Sequence, residues 1–195
     1  MPSNSKKLIL ANADVTYFPN VFSIAESNGY LQKLKNRIKW KQENIRLFGR
    51  QYPTPRLSCW IGDESYRYSG LTHTPAPWPK ELIPIRERVN KISDAYFNCV
   101  LLNLYRDGND SMGCHADNES ELGINPIIAS ASFGASRRFR FKRQDKSQKT
   151  QTLVLESGSV LLMQGSTQKY WLHEIPKTKK IIGPRINLTF RRVSG

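Results

Sequence analysis

From Phe97 to its end the sequence runs in short apolar or alternating segments: "CVLLNLYR", "IIASASFG", "RRFRFKR", "QTLVLE", "SVLLMQG" and "RINLTFRR". Gly, Asn, Asp and Ser turns separate them, so each reads as a strand and the C-terminal half as β-rich. Two stretches ahead of it carry helical spacing. One is "SIAESNGYLQKLKNRIKW", with Ile24, Tyr30, Leu31, Leu34 and Ile38; the other is "KELIPIRERVNKISDAYF", with Leu82, Ile85, Val89 and Ile92. Pro84 predicts that the second helix starts near it or bends there. Helices followed by strands point to an α+β protein built on a sandwich or barrel.

A chain of 195 residues fits one domain and is long enough to bury a core. With no repeat and no low-complexity segment, a single domain over 1–195 is expected, helices and a lid over about 1–97 and the strand-rich core over about 98–195. Thirty Lys and Arg against sixteen Asp and Glu leave a formal charge of +14. That excess suits a polyanionic partner, although a merely basic protein would also carry it. Cys59, Cys99 and Cys114 are odd in number and lack CxxC spacing, which argues against a disulfide framework or a structural zinc site. No apolar run is long enough for a membrane span or a secretory signal. The expectation is an intracellular monomer without a membrane partner, cytoplasmic if bacterial and nuclear if eukaryotic.

In "MGCHADNES", His115 and Asp117 stand two apart, so on an extended segment they share a side and can converge on one ion. A polar surface turn would produce the same pair. Of the two remaining histidines, His173 in "YWLHEIPK" follows a strand-like run and is a better third ligand than His73 in its Thr- and Pro-rich loop. Two imidazoles and one carboxylate on one face of an octahedral ion suit non-haem Fe(II) and oxygen chemistry. In "PRINLTFRR", Arg185, Asn187, Thr189 and Arg191 share one side of a strand. Two guanidinium forks in such a stripe match a dicarboxylate; a solvated edge strand would read the same way. Asn103 and Tyr105 of "LLNLYR" share a face and could bond the same ligand.

Taken in order, "NLY" at 103–105, "HAD" at 115–117, "SASFGASRRFRFK" at 130–142, "GSVLLMQG" at 158–165, "WLHEIPK" at 171–177 and "PRINLTFRR" at 184–192 resemble the AlkB family of iron and 2-oxoglutarate dioxygenases. The resemblance extends from about residue 46 to the C-terminus. It implies a double-stranded β-helix, or jelly roll, with Fe(II) held by His115, Asp117 and His173. It also implies 2-oxoglutarate against Asn103, Tyr105, Arg185, Asn187 and Arg191, with O2 as the other co-substrate. The implied reaction hydroxylates an N-methyl group and releases formaldehyde, succinate and carbon dioxide.

The stretch "RLFGRQYPTPRLSCWIGDESYRYSG" interleaves aromatics with arginines, as a lid that stacks bases and meets phosphates requires; an ordinary hydrophobic meander is the alternative. It is most similar to the duplex-repairing DNA branch of the family. By that likeness Phe48 is the finger that fills the gap left by a flipped base, and Arg56 is the arginine of a "PR" element. Tyr68 stacks on the base opposite His115, Tyr66 lines the pocket, and Glu119 accepts from an exocyclic amino group. Trp60 is counted with this lid, and Arg50 with the groups that meet phosphates. Cys114 stands where bulkier or more polar residues are expected and leaves the pocket's local size open. In "SRRFRFKR", Phe139 and Phe141 face one way while Arg138, Arg140 and Lys142 face the other, a basic rail for a nucleic-acid backbone. "PKTKK" reads as a solvated loop. The expected substrate is DNA, double- or single-stranded, carrying 1-methyladenine or 3-methylcytosine. RNA, or lesion binding without repair, is the alternative.

Overall fold

The computed structural model describes residues 4–47, 49–63, 66–68, 71–73 and 76–193, with the side chains at 46–47, 66–68 and 71–73 outside the description. The order is β1 (Lys6–Leu8), β2 (Asp14–Phe18), α1 (Ile24–Arg37), β3 (Asn44–Leu47), β4 (Arg50–Pro53), β5 (Leu57–Gly62), β6 (Tyr66–Tyr68), β7 (Leu71–His73), α2 (Ile83–Ser93), β8 (Cys99–Tyr105), β9 (Met112–His115), β10 (Ile128–Gly134), β11 (Arg137–Arg143), β12 (Gln151–Leu155), β13 (Val160–Gln164), α3 (Thr167–Tyr170), β14 (Trp171–Ile175) and β15 (Arg185–Arg191). A major sheet runs β1-β2-β13-β10-β15-β8-β5 and a minor sheet β12-β11-β14-β9. The two face each other as a jelly roll.

Burial explains the contrast in strand texture. One face of the major sheet packs Val100, Leu102, Ala131 and Leu188 under α1 and α2, which contribute Leu34, Ile85 and Val89. Its other face sends Leu101, Ile128 and Met163 toward Phe139, Phe141 and Trp171 of the minor sheet. A sheet covered on both sides needs apolar residues at nearly every position, and all seven residues of β8 are buried. The minor sheet has one covered face, so β11 alternates between buried Phe139 and Phe141 and the more exposed Arg138, Arg140 and Lys142.

Local chemistry sets the helix ends. Ser23 and Glu26 form a reciprocal capping box at the start of α1, with Ser23 N donating to the Glu26 carboxylate at 2.8 Å and Glu26 N to Ser23 Oγ at 3.2 Å. Ile24 departs from the predicted apolar stripe: it is 82% exposed, because α1 first meets the core at Ser27. Pro84 lies in the first turn of α2, where a missing N–H costs nothing. Gly158, at φ +79°, lets the chain before α1 dock: Phe22 N donates to Gly158 O at 3.0 Å, and a Cβ there would run into the Phe22 carbonyl. The change of texture at Phe97 is no boundary in the sheet, since β1, β2 and β5 pair into it from the N-terminal side. Among the described residues no helix is long and apolar enough to cross a membrane.

Candidate active site

Strand pairing assembles the three candidate ligands. β14 runs antiparallel to β9 with His173 directly opposite His115, and their rings approach to 4.3 Å between centroids. Asp117, two residues past His115 and 1% exposed, comes within 3.8 Å of His115 Nε2 and 3.9 Å of His173 Nε2. One ligand atom from each residue lies within 4.8 Å of the others, a spacing that closes around a single ion.

Surrounding contacts orient these groups. His115 Nδ1 lies 2.9 Å from Gly113 O; with the proton there, Nε2 is left as the metal-binding nitrogen. Phe139 stacks on His173 at 5.2 Å. Asp117 N donates to Gln168 Oε1 at 3.0 Å, and Arg191 Nη2 donates to Asp117 Oδ1 at 2.6 Å. Burial pushes the Asp117 carboxyl up, but Arg191 and the two histidines outweigh it and hold the group at about 2. Burial, with the neighbouring His115, pulls the His173 imidazole down to about 3, so it is neutral and ready to donate a lone pair.

β15 lies between β10 and β8, with Asn187 opposite Asn103 and Arg185 opposite Tyr105. The two polar faces of the sequence therefore form one wall. With the triad, Asn103, Tyr105, Asn187, Thr189 and Arg191 line one cavity. Arg185 Nη2 donates to Asn187 Oδ1 at 2.6 Å and to Ser132 Oγ at 3.0 Å. Its Nε and Nη1 are buried without a hydrogen-bond partner among the described residues. Burial pulls this guanidinium down to about 10, which still leaves it charged at neutral pH. A buried cation with two donors open is what a carboxylate would satisfy, so the residues fit both a divalent metal and an acidic co-substrate.

A family model of the 2OG-Fe(II) oxygenase superfamily matches residues 14–191. DNA oxidative demethylase ALKBH2 of Bos taurus is 37% identical over 194 residues, 93% of this chain and 69% of that protein. This chain belongs to the AlkB family of 2OG-Fe(II) oxygenases. The human alpha-ketoglutarate-dependent dioxygenase alkB homolog 3 is 36% identical, covering 92% of this chain and 66% of its own length. The solved structure of OsALKBH1 shares the fold, with a TM-score of 0.68 at 16% identity over 96% of this chain and all of that one. As an AlkB-family dioxygenase the chain works with Fe(II), 2-oxoglutarate and O2.

The lid residues of this oxygenase divide. Phe48 and the side chains of Tyr66 and Tyr68 lie outside the described residues, although the β6–β7 hairpin that carries the tyrosines is described. Trp60 departs from the expected lid: it is 6% exposed and packs in the inter-sheet core, because β5 is an integral strand of the major sheet. Arg56 departs likewise. It is buried, and its Nε donates to Asn103 Oδ1 at 2.9 Å, so it braces the co-substrate wall from behind. Arg50 is exposed on β4, and Glu119 is half-buried in the turn after Asp117. Cys114 is exposed on β9 and does not line the cavity among the described residues.

Sequence reasoning missed Ser130, Ser132, Gln168 and Arg137. Ser130 and Ser132 bond the polar stripe from β10. Arg137 donates to the carbonyls of Asp107, Asp110 and Pro176 and lies over the Tyr105 ring, tying the loop between β8 and β9 to the loop after β14. Its signal was present, since it shares the inward face with Phe139 and Phe141.

Proposed function

We propose that this chain removes methyl groups from the Watson–Crick nitrogens of adenine and cytosine in DNA, turning 1-methyladenine and 3-methylcytosine back into the unmodified bases. The observation that carries the reading is the single cavity in which the His115, Asp117 and His173 atoms converge beside the stripe of β15. Likeness to proteins named DNA oxidative demethylase supports the substrate class. The net charge of +14 and the outward Arg138, Arg140 and Lys142 support a nucleic-acid backbone as partner.

In this reading His115, Asp117 and His173 hold Fe(II), and Arg185, Asn187, Asn103, Tyr105 and Arg191 hold 2-oxoglutarate. Bound together, the metal and 2-oxoglutarate supply the oxidising power to hydroxylate an N-methyl carbon with O2, yielding succinate and carbon dioxide. The hydroxymethyl adduct then loses formaldehyde. The chain's own work is positioning. Arg191 keeps Asp117 ionised and oriented, Gly113 O fixes the His115 tautomer, and Arg56 aims Asn103. A base must leave the helix to reach the cavity, and the hairpins β3–β4 and β6–β7 are the segments suited to hold it, through Phe48, Tyr66 and Tyr68. Glu119 would read the exocyclic amino group.

Phe48→Ala tests the lid: single-strand demethylation survives while duplex repair weakens, and equal loss on both would make Phe48 a core residue. Matched DNA and RNA oligonucleotides in competition test the sugar preference.

A further inference from the structure

Glu174 follows the metal-site histidine in β14 and borders the same cavity, but its carboxylate reaches the outer face of the sheet, where it meets Arg140 and Lys142. Across the minor sheet it stands directly opposite Arg140, as His173 stands opposite Phe141. Its Oε1 is 3.0 Å from Lys142 Nζ and 3.5 Å from Arg140 Nη1. Its side chain is 13% exposed, against 36% for Arg140 and 40% for Lys142, so the carboxylate lies beneath two cations whose heads reach solvent. Arg140 also borders a basic groove on the same face, with Arg138, Lys177 and Lys180 along its walls. The outer face is thus a basic surface with an acid set into its floor beside the active-site strand.

Fold stability gives little reason for the arrangement, because ion pairs with exposed partners contribute about 0 to 1 kcal/mol. Its effect falls on association with a polyanion. A phosphate that approaches Arg140 or Lys142 must compete with a carboxylate already in place, and the negative charge beneath lowers the local potential.

We propose that Glu174 is a specificity-determining counter-ion: it holds Arg140 and Lys142 against the protein and weakens their grip on undamaged nucleic acid. This rests on the nucleic-acid reading above. A repair enzyme meets mostly intact duplex, and tight sequence-independent binding would trap it there. With Glu174 present, the rail engages phosphates only where other contacts, such as a base held in the cavity, hold the duplex close.

The test measures the affinity of full-length protein for undamaged and 1-methyladenine-containing duplex DNA as salt is varied, by fluorescence anisotropy. Glu174→Gln keeps the shape and removes the charge. Freeing one or two cations steepens the slope of log affinity against log salt by about 0.9 to 1.8. On lowering salt from about 200 to about 50 mM the variant therefore gains about 3- to 12-fold over the wild-type protein on undamaged duplex. Its preference for lesion-bearing over undamaged duplex falls. Lys142→Gln provides a second arm that leaves Glu174 intact: it flattens the wild-type slope by much less than 0.9, and the Glu174→Gln slope by about 0.9. Equal slopes for the wild-type protein and Glu174→Gln, with Lys142→Gln acting identically in both, would overturn the proposal while leaving nucleic-acid binding intact. A wild-type protein without salt-dependent DNA affinity would overturn the nucleic-acid reading itself, and the role of Glu174 with it.

Discussion

Replacing Arg185 with Met separates a ligand-binding arginine from a structural one. In the ligand-free fold Arg185 bonds Asn187 and Ser132 and lies over the Tyr105 ring, while Nε and Nη1 are buried with no hydrogen-bond partner among the described residues. Removing the side chain loses two charge-assisted hydrogen bonds at about 1.5 to 3 kcal/mol each and the contact with the Tyr105 ring, and relieves two unsatisfied donors at about 1 to 3 kcal/mol each. Asn187 Oδ1 keeps its bond from Ser130 Oγ at 2.9 Å, so no buried acceptor is stranded there. The terms nearly cancel, so the ligand-free variant should lie within about 2 kcal/mol of the wild type, with a Tm within about 8 °C. Its 2-oxoglutarate affinity should fall by about 10- to 150-fold, the effect of losing about 1.5 to 3 kcal/mol of charge-assisted bonding. At a concentration 100 times the wild-type Kd, the co-substrate stabilises the wild type by about 2.7 kcal/mol. The same concentration stabilises the variant by only about 0.3 to 1.4 kcal/mol. Thermal melts with Mn(II) in place of Fe(II), with and without 2-oxoglutarate, read both quantities. A variant that loses more than about 3 kcal/mol without ligand yet retains its 2-oxoglutarate shift would make Arg185 a structural residue and not a ligand-binding one.

Gln168→Leu leaves Asp117 N without its acceptor; Mn(II) affinity followed by electron paramagnetic resonance should drop about 10- to 100-fold with secondary structure unchanged. Arg137→Met removes charged bonds to three carbonyls and should cost about 3 to 5 kcal/mol in urea unfolding, because the stranded acceptors lie at the join of two loops. Thiol reagents should label exposed Cys114 rapidly and buried Cys99 only on unfolding. Burial pushes the Cys99 thiol up from 9.0 to about 12, so the fold favours the protonated form. Its contribution is complete below pH 9 and lost as pH rises toward 12, by at most about 1.4 kcal/mol per pH unit from this group, which alkaline unfolding of Cys99→Ala against the wild type would reveal.

What was legible in the sequence follows from periodicity. Alternation in β15 and β8 put Arg185, Asn187, Asn103 and Tyr105 on their faces, and pairing of the two strands joined those faces into one wall. The His115 and Asp117 spacing was readable, but their meeting with His173 depends on β9 lying beside β14, a long-range pairing that no local pattern carries. The burial of Trp60 and Arg56 was not legible, because an aromatic between arginines looks alike whether its strand edges a lid or joins a sheet covered on both sides. Gln168 was invisible: its partner Asp117 is 51 residues away, and a polar residue in a short helix has no reason to be singled out.

The most direct test of the account incubates the purified protein aerobically with Fe(II), 2-oxoglutarate and oligonucleotides carrying 1-methyladenine or 3-methylcytosine, and follows methyl loss by mass spectrometry beside a His115→Ala control. A loss of 14 mass units, roughly one methylene, is expected per lesion, dependent on 2-oxoglutarate and abolished in the control. Succinate formation with every methyl group retained, or methyl loss that survives His115→Ala, would contradict it.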